Sequence, residues 1–158
     1  MPFNPLSQVL SVDDNEDTAE ILGLVMKSYQ VEVTATRSSA DALLKIKSGC
    51  FDLYLLDGWL PVLDGFELCR QIRESDSTTP ILFYSGAAYE IDKQKAFAAG
   101  ANAYVTKPDV EGLIETMLEL IAKAKVDNVQ TPWTGNHFPA VESRVANRFF
   151  SVVSTAGD

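Results

Sequence analysis

The residues able to do chemistry in this sequence are Asp13, Asp14, Asp57, Ser85 and Lys107. Asp13 and Asp14 follow the apolar run Val9-Leu10-Ser11-Val12, and Asp57 closes the run Leu53-Tyr54-Leu55-Leu56. If the strands formed by these runs are neighbours, the carboxylates meet in one small pocket. There they repel each other and raise one another's pKa unless a cation compensates them. Carboxylate oxygens with no His or Cys nearby favour a hard ion, Mg2+ or Mn2+. Asp13 and Asp14 suit a helix N-terminus equally well, so the doublet alone leaves both roles open. Asp57 begins no helix and lacks that second explanation. Ser85 closes the run Ile81-Leu82-Phe83-Tyr84, where its hydroxyl can donate to an anion. Lys107 follows Thr106 and would set an ammonium opposite the carboxylates, although by itself it reads as a solvated surface lysine. Pro108 allows a cis peptide with Lys107, a geometry found in only about 5–6% of X–Pro bonds.

The elements that must position these residues alternate. Val9–Val12 reads as a buried strand, followed by helix N-terminal residues across Asp13-Asp14-Asn15-Glu16-Asp17. Ile21, Leu22, Val25 and Met26 recur at helical spacing, and Val31, Val33 and Ala35 alternate as a second strand. Ser38 with Asp41 suggests a capping box before Ala42, Leu43 and Ile46, with Gly49 as the stop. Leu53–Leu56 is continuously apolar, the pattern of a strand covered on both faces. Pro61 and Gly65 mark a loop, and Phe66, Leu68, Cys69 and Ile72 fit a third helix. Strand Ile81–Tyr84, a helix from Ile91 to Ala99 capped by Gly100, and strand Ala103–Val105 come next. A last helix, Val110–Lys125, presents Leu113, Ile114, Met117, Leu118 and Ile121. Such alternation with short connections implies an α/β fold, a parallel sheet with helices on both faces. Ligands of such sheets bind beyond the carboxyl ends of the strands, at the topological switch point.

Composition sets the outer limits. A length of 158 residues suits one domain with a real core. A net charge of −9 disfavours non-specific nucleic-acid binding and an anionic membrane surface. Cys50 and Cys69 are too few for a disulfide framework and read as reduced packing or surface thiols. No window approaches the roughly 18 apolar residues of a membrane span, and the start has no signal-peptide pattern. The expected location is cytoplasmic.

Taken together, Asp13-Asp14, Asp57 within Asp57-Gly58-Trp59-Leu60-Pro61-Val62-Leu63-Asp64-Gly65, Ser85-Gly86 and Tyr104-Val105-Thr106-Lys107-Pro108 resemble a response-regulator receiver domain of two-component signalling. The resemblance covers roughly residues 7–125, in order and spacing. It implies a flavodoxin-like (βα)5 doubly wound sheet with strand order 2-1-3-4-5. It implies that Asp57 accepts a phosphoryl group from a histidine kinase or a histidine phosphotransfer protein. It implies Mg2+ or Mn2+ held by Asp14 and Asp57, by Asp13 largely through water, and by the backbone carbonyl of Trp59. Lys107 and Ser85 would each bind a phosphoryl oxygen. Ser85 and Tyr104 would form the switch, reshaping the surface of the fourth helix, fifth strand and fifth helix for a partner. Such a protein is not an enzyme beyond its own phosphorylation and dephosphorylation. Gly58, beside the nucleophile, is expected to add backbone freedom. By the same resemblance, Trp59 and Ala87 would border the phosphoryl group and bear on its lifetime in opposite directions.

Residues 126–158 are read as an extension of a stand-alone receiver, being too few and too weakly charged for a DNA-binding output domain. Val141, Val145 and Phe149 fall at helical spacing, so a short amphipathic helix is expected from about Ala140 to Phe150. It would dock on its own domain, a second copy or a partner, and a homodimer through it or through the fourth helix, fifth strand and fifth helix is a further expectation. His137 reads as a solvated loop histidine. Two alternatives remain open. One is a phosphorelay shuttle that passes phosphate to a histidine domain. The other is a small enzyme on a flavodoxin-like fold, against which Trp59 stands where an aspartate-nucleophile phosphatase needs a second acid.

Overall fold

The chain is described over residues 5–128 by a computed structural model. The expected amphipathic helix at 140–150, its docking and His137 lie outside the described residues. Five strands alternate with five helices: β1 (Ser7–Val12), α1 (Glu16–Lys27), β2 (Val31–Thr36), α2 (Ser39–Ser48), β3 (Leu53–Leu56), α3 (Gly65–Ser75), β4 (Ile81–Ser85), α4 (Glu90–Ala99), β5 (Ala103–Thr106) and α5 (Val110–Asn128). All strand pairs are parallel, in the order β2-β1-β3-β4-β5. This is the expected fold class and strand order.

Strand alternation divides the core in two. Leu10, Val12, Tyr54, Leu56, Ile81 and Phe83 face the buried residues of α2, α3 and α4. Val9, Leu53, Leu55, Leu82 and Tyr84 face Leu22 and Met26 of α1 and Leu113, Met117 and Ile121 of α5. β3 and β4 are buried along their whole length because helices cover both sides. The bottom of the sheet is tied by Arg73, which donates to the carbonyls of Gly100, Asp76 and Thr79 and to Asn102 Oδ1 at 2.8–3.0 Å.

Local detail differs from the sequence reading in several places. The N-cap of α1 is Asn15, whose side chain accepts from the Asp17 and Thr18 amides, so neither Asp13 nor Asp14 caps the helix. The capping box at α2 is half formed: Ser38 Oγ accepts from the Asp41 amide at 3.1 Å, but the Asp41 carboxylate instead accepts from Thr36 Oγ1 at 2.6 Å. Gly49 ends α2 in an extended conformation, φ −131°, without the left-handed turn expected of a glycine stop. Gly100 does take that turn, φ +112°. The last helix continues through Asn128, past Lys125, where the apolar pattern weakened. The Lys107–Pro108 peptide is cis.

Candidate functional site

The carboxyl end of the sheet gathers the sequence-selected residues because hydrogen bonding continues one step beyond the strands. The Asp13 amide donates to the Thr36 carbonyl at 3.1 Å, the Asp57 amide to Val12 at 3.0 Å and the Lys107 amide to Ser85 at 2.9 Å. Asp13 and Asp57 therefore hang on fixed backbone positions at the β1–β3 switch point, and Lys107 on one beyond β5. One carboxylate oxygen from each of Asp13, Asp14 and Asp57 lies within 4.8 Å of the others. Asp13 and Asp57 are buried and Asp14 is exposed. Lys107 Nζ bridges the two buried acids, 2.8 Å from Asp13 Oδ2 and 3.1 Å from Asp57 Oδ2. Burial works against the ammonium, but its bonds to Asp13 and Asp57 outweigh that and hold its pKa above the ordinary lysine value. Lys107 is therefore charged. One ammonium against this many carboxylates leaves an excess of negative charge, and an all-oxygen donor set of this size fits a hard divalent ion.

Other groups shape the rim. Asp57 Oδ1 accepts from the Trp59 amide at 3.1 Å, while the Trp59 indole is largely exposed. Asp13 Oδ1 accepts from the Asn15 amide at 2.9 Å. Gly65 opens α3 with its amide on the Gly58 carbonyl, and a Cβ there would collide with the Asp57 carbonyl oxygen. Gly58 has no positive φ. It supplies space: a Cβ at Gly58 would lie 3.2 Å from Ser85 Oγ and 3.3 Å from the Phe66 ring. Ser85 is fully buried, with its hydroxyl 3.4 Å from the Ala87 amide. Tyr104 Oη donates to the Ala87 carbonyl at 2.6 Å.

Two features were not read from the sequence. Phe66, Phe83 and Tyr104 form a continuous stack, with ring centroids 5.3 and 5.9 Å apart and planes within 18° and 4°. Their separation along the chain left no local signal. The Lys107 ammonium also lies over the Tyr84 ring, 5.5 Å from its centroid. The signal here was available, because Tyr84 precedes Ser85 on a strand that ends beside Lys107.

Residues 9–119 match the family model described as the response regulator receiver domain. The chain belongs to the response regulator receiver domain family. It is 40% identical over 102 residues to the autoinducer 2 sensor kinase/phosphatase LuxQ of Vibrio vulnificus, covering 64% of this chain and 12% of that protein. It is 30% identical over 125 residues to the response regulator ArlR of Staphylococcus saprophyticus, covering 78% of this chain and 56% of that protein. The chain thus spans about half the length of one relative, and much less of the other. Among solved structures it resembles a CheY-like receiver domain protein of Methanospirillum hungatei, with TM-score 0.73, 25% identity and coverage of 77% and 98%. It also resembles the chemotaxis response regulator CheY4 of Vibrio cholerae, with TM-score 0.68, 28% identity and coverage of 73% and 98%. Among the described residues, no helix is long and apolar enough to cross a membrane.

Proposed function

We propose that the chain is a phosphorylation-activated switch in which Asp57 is the phosphoacceptor. The observation that carries this reading is the Lys107 bridge between Asp13 and Asp57, beside a third carboxylate, Asp14. That arrangement supplies a nucleophilic oxygen, a fixed ammonium and a divalent-cation donor set within one small space. Phosphoryl transfer needs positioning and charge neutralisation more than covalent help. An Asp57 carboxylate oxygen forms the new bond to phosphorus. The bond from phosphorus to the donor's imidazole nitrogen breaks, and the electron pair leaves with the imidazole. Asp13, Asp14, Asp57 and the Trp59 backbone carbonyl would hold Mg2+ or Mn2+, which when bound offsets charge on the phosphoryl oxygens. Lys107 pairs with a second oxygen, and Ser85 hydrogen-bonds a third after its hydroxyl turns toward Asp57. Tyr104 responds to the movement of Ser85, so that the α4-β5-α5 surface changes shape for an effector protein. The phosphodonor is a histidine kinase or a histidine phosphotransfer protein, and the switch works in the cytoplasm. Residues 7–125 carry this function, and a homodimer through α4-β5-α5 or residues 126–158 is part of the proposal.

A second reading is a phosphorelay shuttle that hands phosphate onward to a histidine domain. It is favoured by the identity to a segment of a sensor kinase/phosphatase. The test of both begins with acetyl phosphate and Mg2+. Intact mass is expected to rise by one phosphoryl group in the wild type and not in Asp57→Ala. Addition that survives Asp57→Ala rejects the assignment. Rapid return of phosphate to an added histidine phosphotransfer protein selects the shuttle.

A further inference from the structure

The Lys107 ammonium is held by more than carboxylates. Tyr84 is the penultimate residue of β4, and the alternation of that strand turns it away from Phe83, toward the α1 and α5 layer. The register pairs Tyr84 with Val105 and Ser85 with Thr106, so Lys107 leaves β5 one step beyond. From there its stem crosses the end of the sheet, and Nζ stops 5.5 Å from the Tyr84 ring centroid, within cation–π range. Tyr84 is 5% exposed, so its ring is already fixed by packing. Lysine, by contrast, has a long and flexible stem.

We propose that Tyr84 is a positioning residue for Lys107, its ring face keeping the ammonium aimed at the phosphoryl group on Asp57. This deepens the reading of Asp57 as phosphoacceptor and rests on it. The physical reason lies in competition. Asp13 and Asp57, the carboxylates that hold Lys107, are also the donors proposed for the divalent ion. Their hold on the ammonium would weaken to the extent that they served such an ion. A neutral ring does not compete for the ion, and its quadrupole goes on attracting the ammonium. A leucine at position 84, though smaller than tyrosine, would keep the position apolar without that attraction. A phenylalanine would keep it, because the attraction comes from the ring face and not from the hydroxyl.

The test uses Tyr84→Phe and Tyr84→Leu in the full chain. In the metal-free protein, the Lys107 Hε protons are expected upfield of ordinary lysine values through the ring current of Tyr84. Tyr84→Phe should retain that shift and Tyr84→Leu should lose it. With acetyl phosphate and Mg2+, Tyr84→Phe should be phosphorylated within about twofold of the wild-type rate, and Tyr84→Leu about three- to tenfold more slowly. Ordinary Lys107 Hε shifts in the wild type would overturn the proposal, even if Tyr84→Leu does not fold. A wild-type rate in Tyr84→Leu, or an equal loss in Tyr84→Phe, would also overturn it. If the wild type accepts no phosphoryl group, the parent reading fails and the role falls with it, while the ring-current shift still reports the contact.

Discussion

Tyr104 Oη donates to the carbonyl of Ala87 at 2.6 Å, joining edge strand β5 to the loop between β4 and α4. The same loop follows Ser85, the last residue of β4, and the Tyr104 ring stacks on Phe83 two residues before Ser85. Burial raises the Tyr104 pKa above the ordinary tyrosine value, so the hydroxyl stays a donor. Tyr104→Phe keeps the stack and deletes the bond, which should cost about 1 kcal/mol. Amide exchange at Ala87 and Ala88 should become faster, with β1 and β3 unaffected. Unchanged exchange in the loop would show that the bond does not restrain it.

Val62 sits at the centre of a γ-turn. Its φ is +72°, and the Leu63 amide donates to the Pro61 carbonyl at 2.9 Å. That form of the turn is rare and strained, and a β-branched residue tolerates it poorly. The Val62 side chain is fully exposed, so packing gives nothing back. Val62→Gly should therefore stabilise the protein by about 0.5–1 kcal/mol, strain relief exceeding the entropy that glycine adds to the unfolded chain. Urea unfolding would show a higher midpoint with an unchanged slope. A lower midpoint would contradict the strain.

The acidic cluster should couple stability to a divalent ion. A ligand that binds the folded state alone stabilises it by about 2.7 kcal/mol at a hundred times its dissociation constant. Millimolar Mg2+ should raise the melting temperature of the wild type. Asp14 is exposed, so Asp14→Asn should leave the metal-free melting temperature unchanged or slightly higher and remove the Mg2+ effect. An undiminished Mg2+ effect in Asp14→Asn would exclude that carboxylate as a ligand.

Asp76 predicts the acid limb of stability. Burial raises its pKa, but hydrogen bonds from Thr79, Tyr54 and Thr78 outweigh this and bring it down to about 2. A carboxylate with a depressed folded-state pKa stabilises above its unfolded value of about 3.9, and that stability is lost as pH falls toward the folded value. Asp76 should thus contribute about 1 kcal/mol at neutral pH, allowing for solvent screening, and lose it between about pH 4 and pH 2. Asp76→Asn should flatten the pH dependence of stability in that window. An unchanged acid limb would contradict the assignment.

The parts legible in the sequence were those with a local pattern. Leu53–Leu56 announced a strand buried on both faces, and Asp57 and Lys107 were placed by the strands they follow. What was illegible came from contacts between distant elements. Nothing beside Arg73 marks it as the clamp of Gly100, Thr79 and Asn102. Asn15 takes the cap of α1 because the helix begins at Glu16, one step later than the acidic doublet suggested, while the carboxylate of Asp13 turns into the site toward Lys107. Thr36 took the Asp41 carboxylate that the capping box needed. The close approach of Gly58 to Ser85 and Phe66 has no local signal either, because those residues come from other elements.

The central claim is that Asp57 itself carries the phosphoryl group. Borohydride reduces an aspartyl phosphate to homoserine, so the wild type can be incubated with acetyl phosphate and Mg2+, reduced, digested and mapped by peptide mass. Homoserine is expected at position 57, with Asp13 and Asp14 unchanged and no conversion when Mg2+ is withheld. Homoserine at another carboxylate, or none at position 57 after demonstrated phosphorylation, would contradict it.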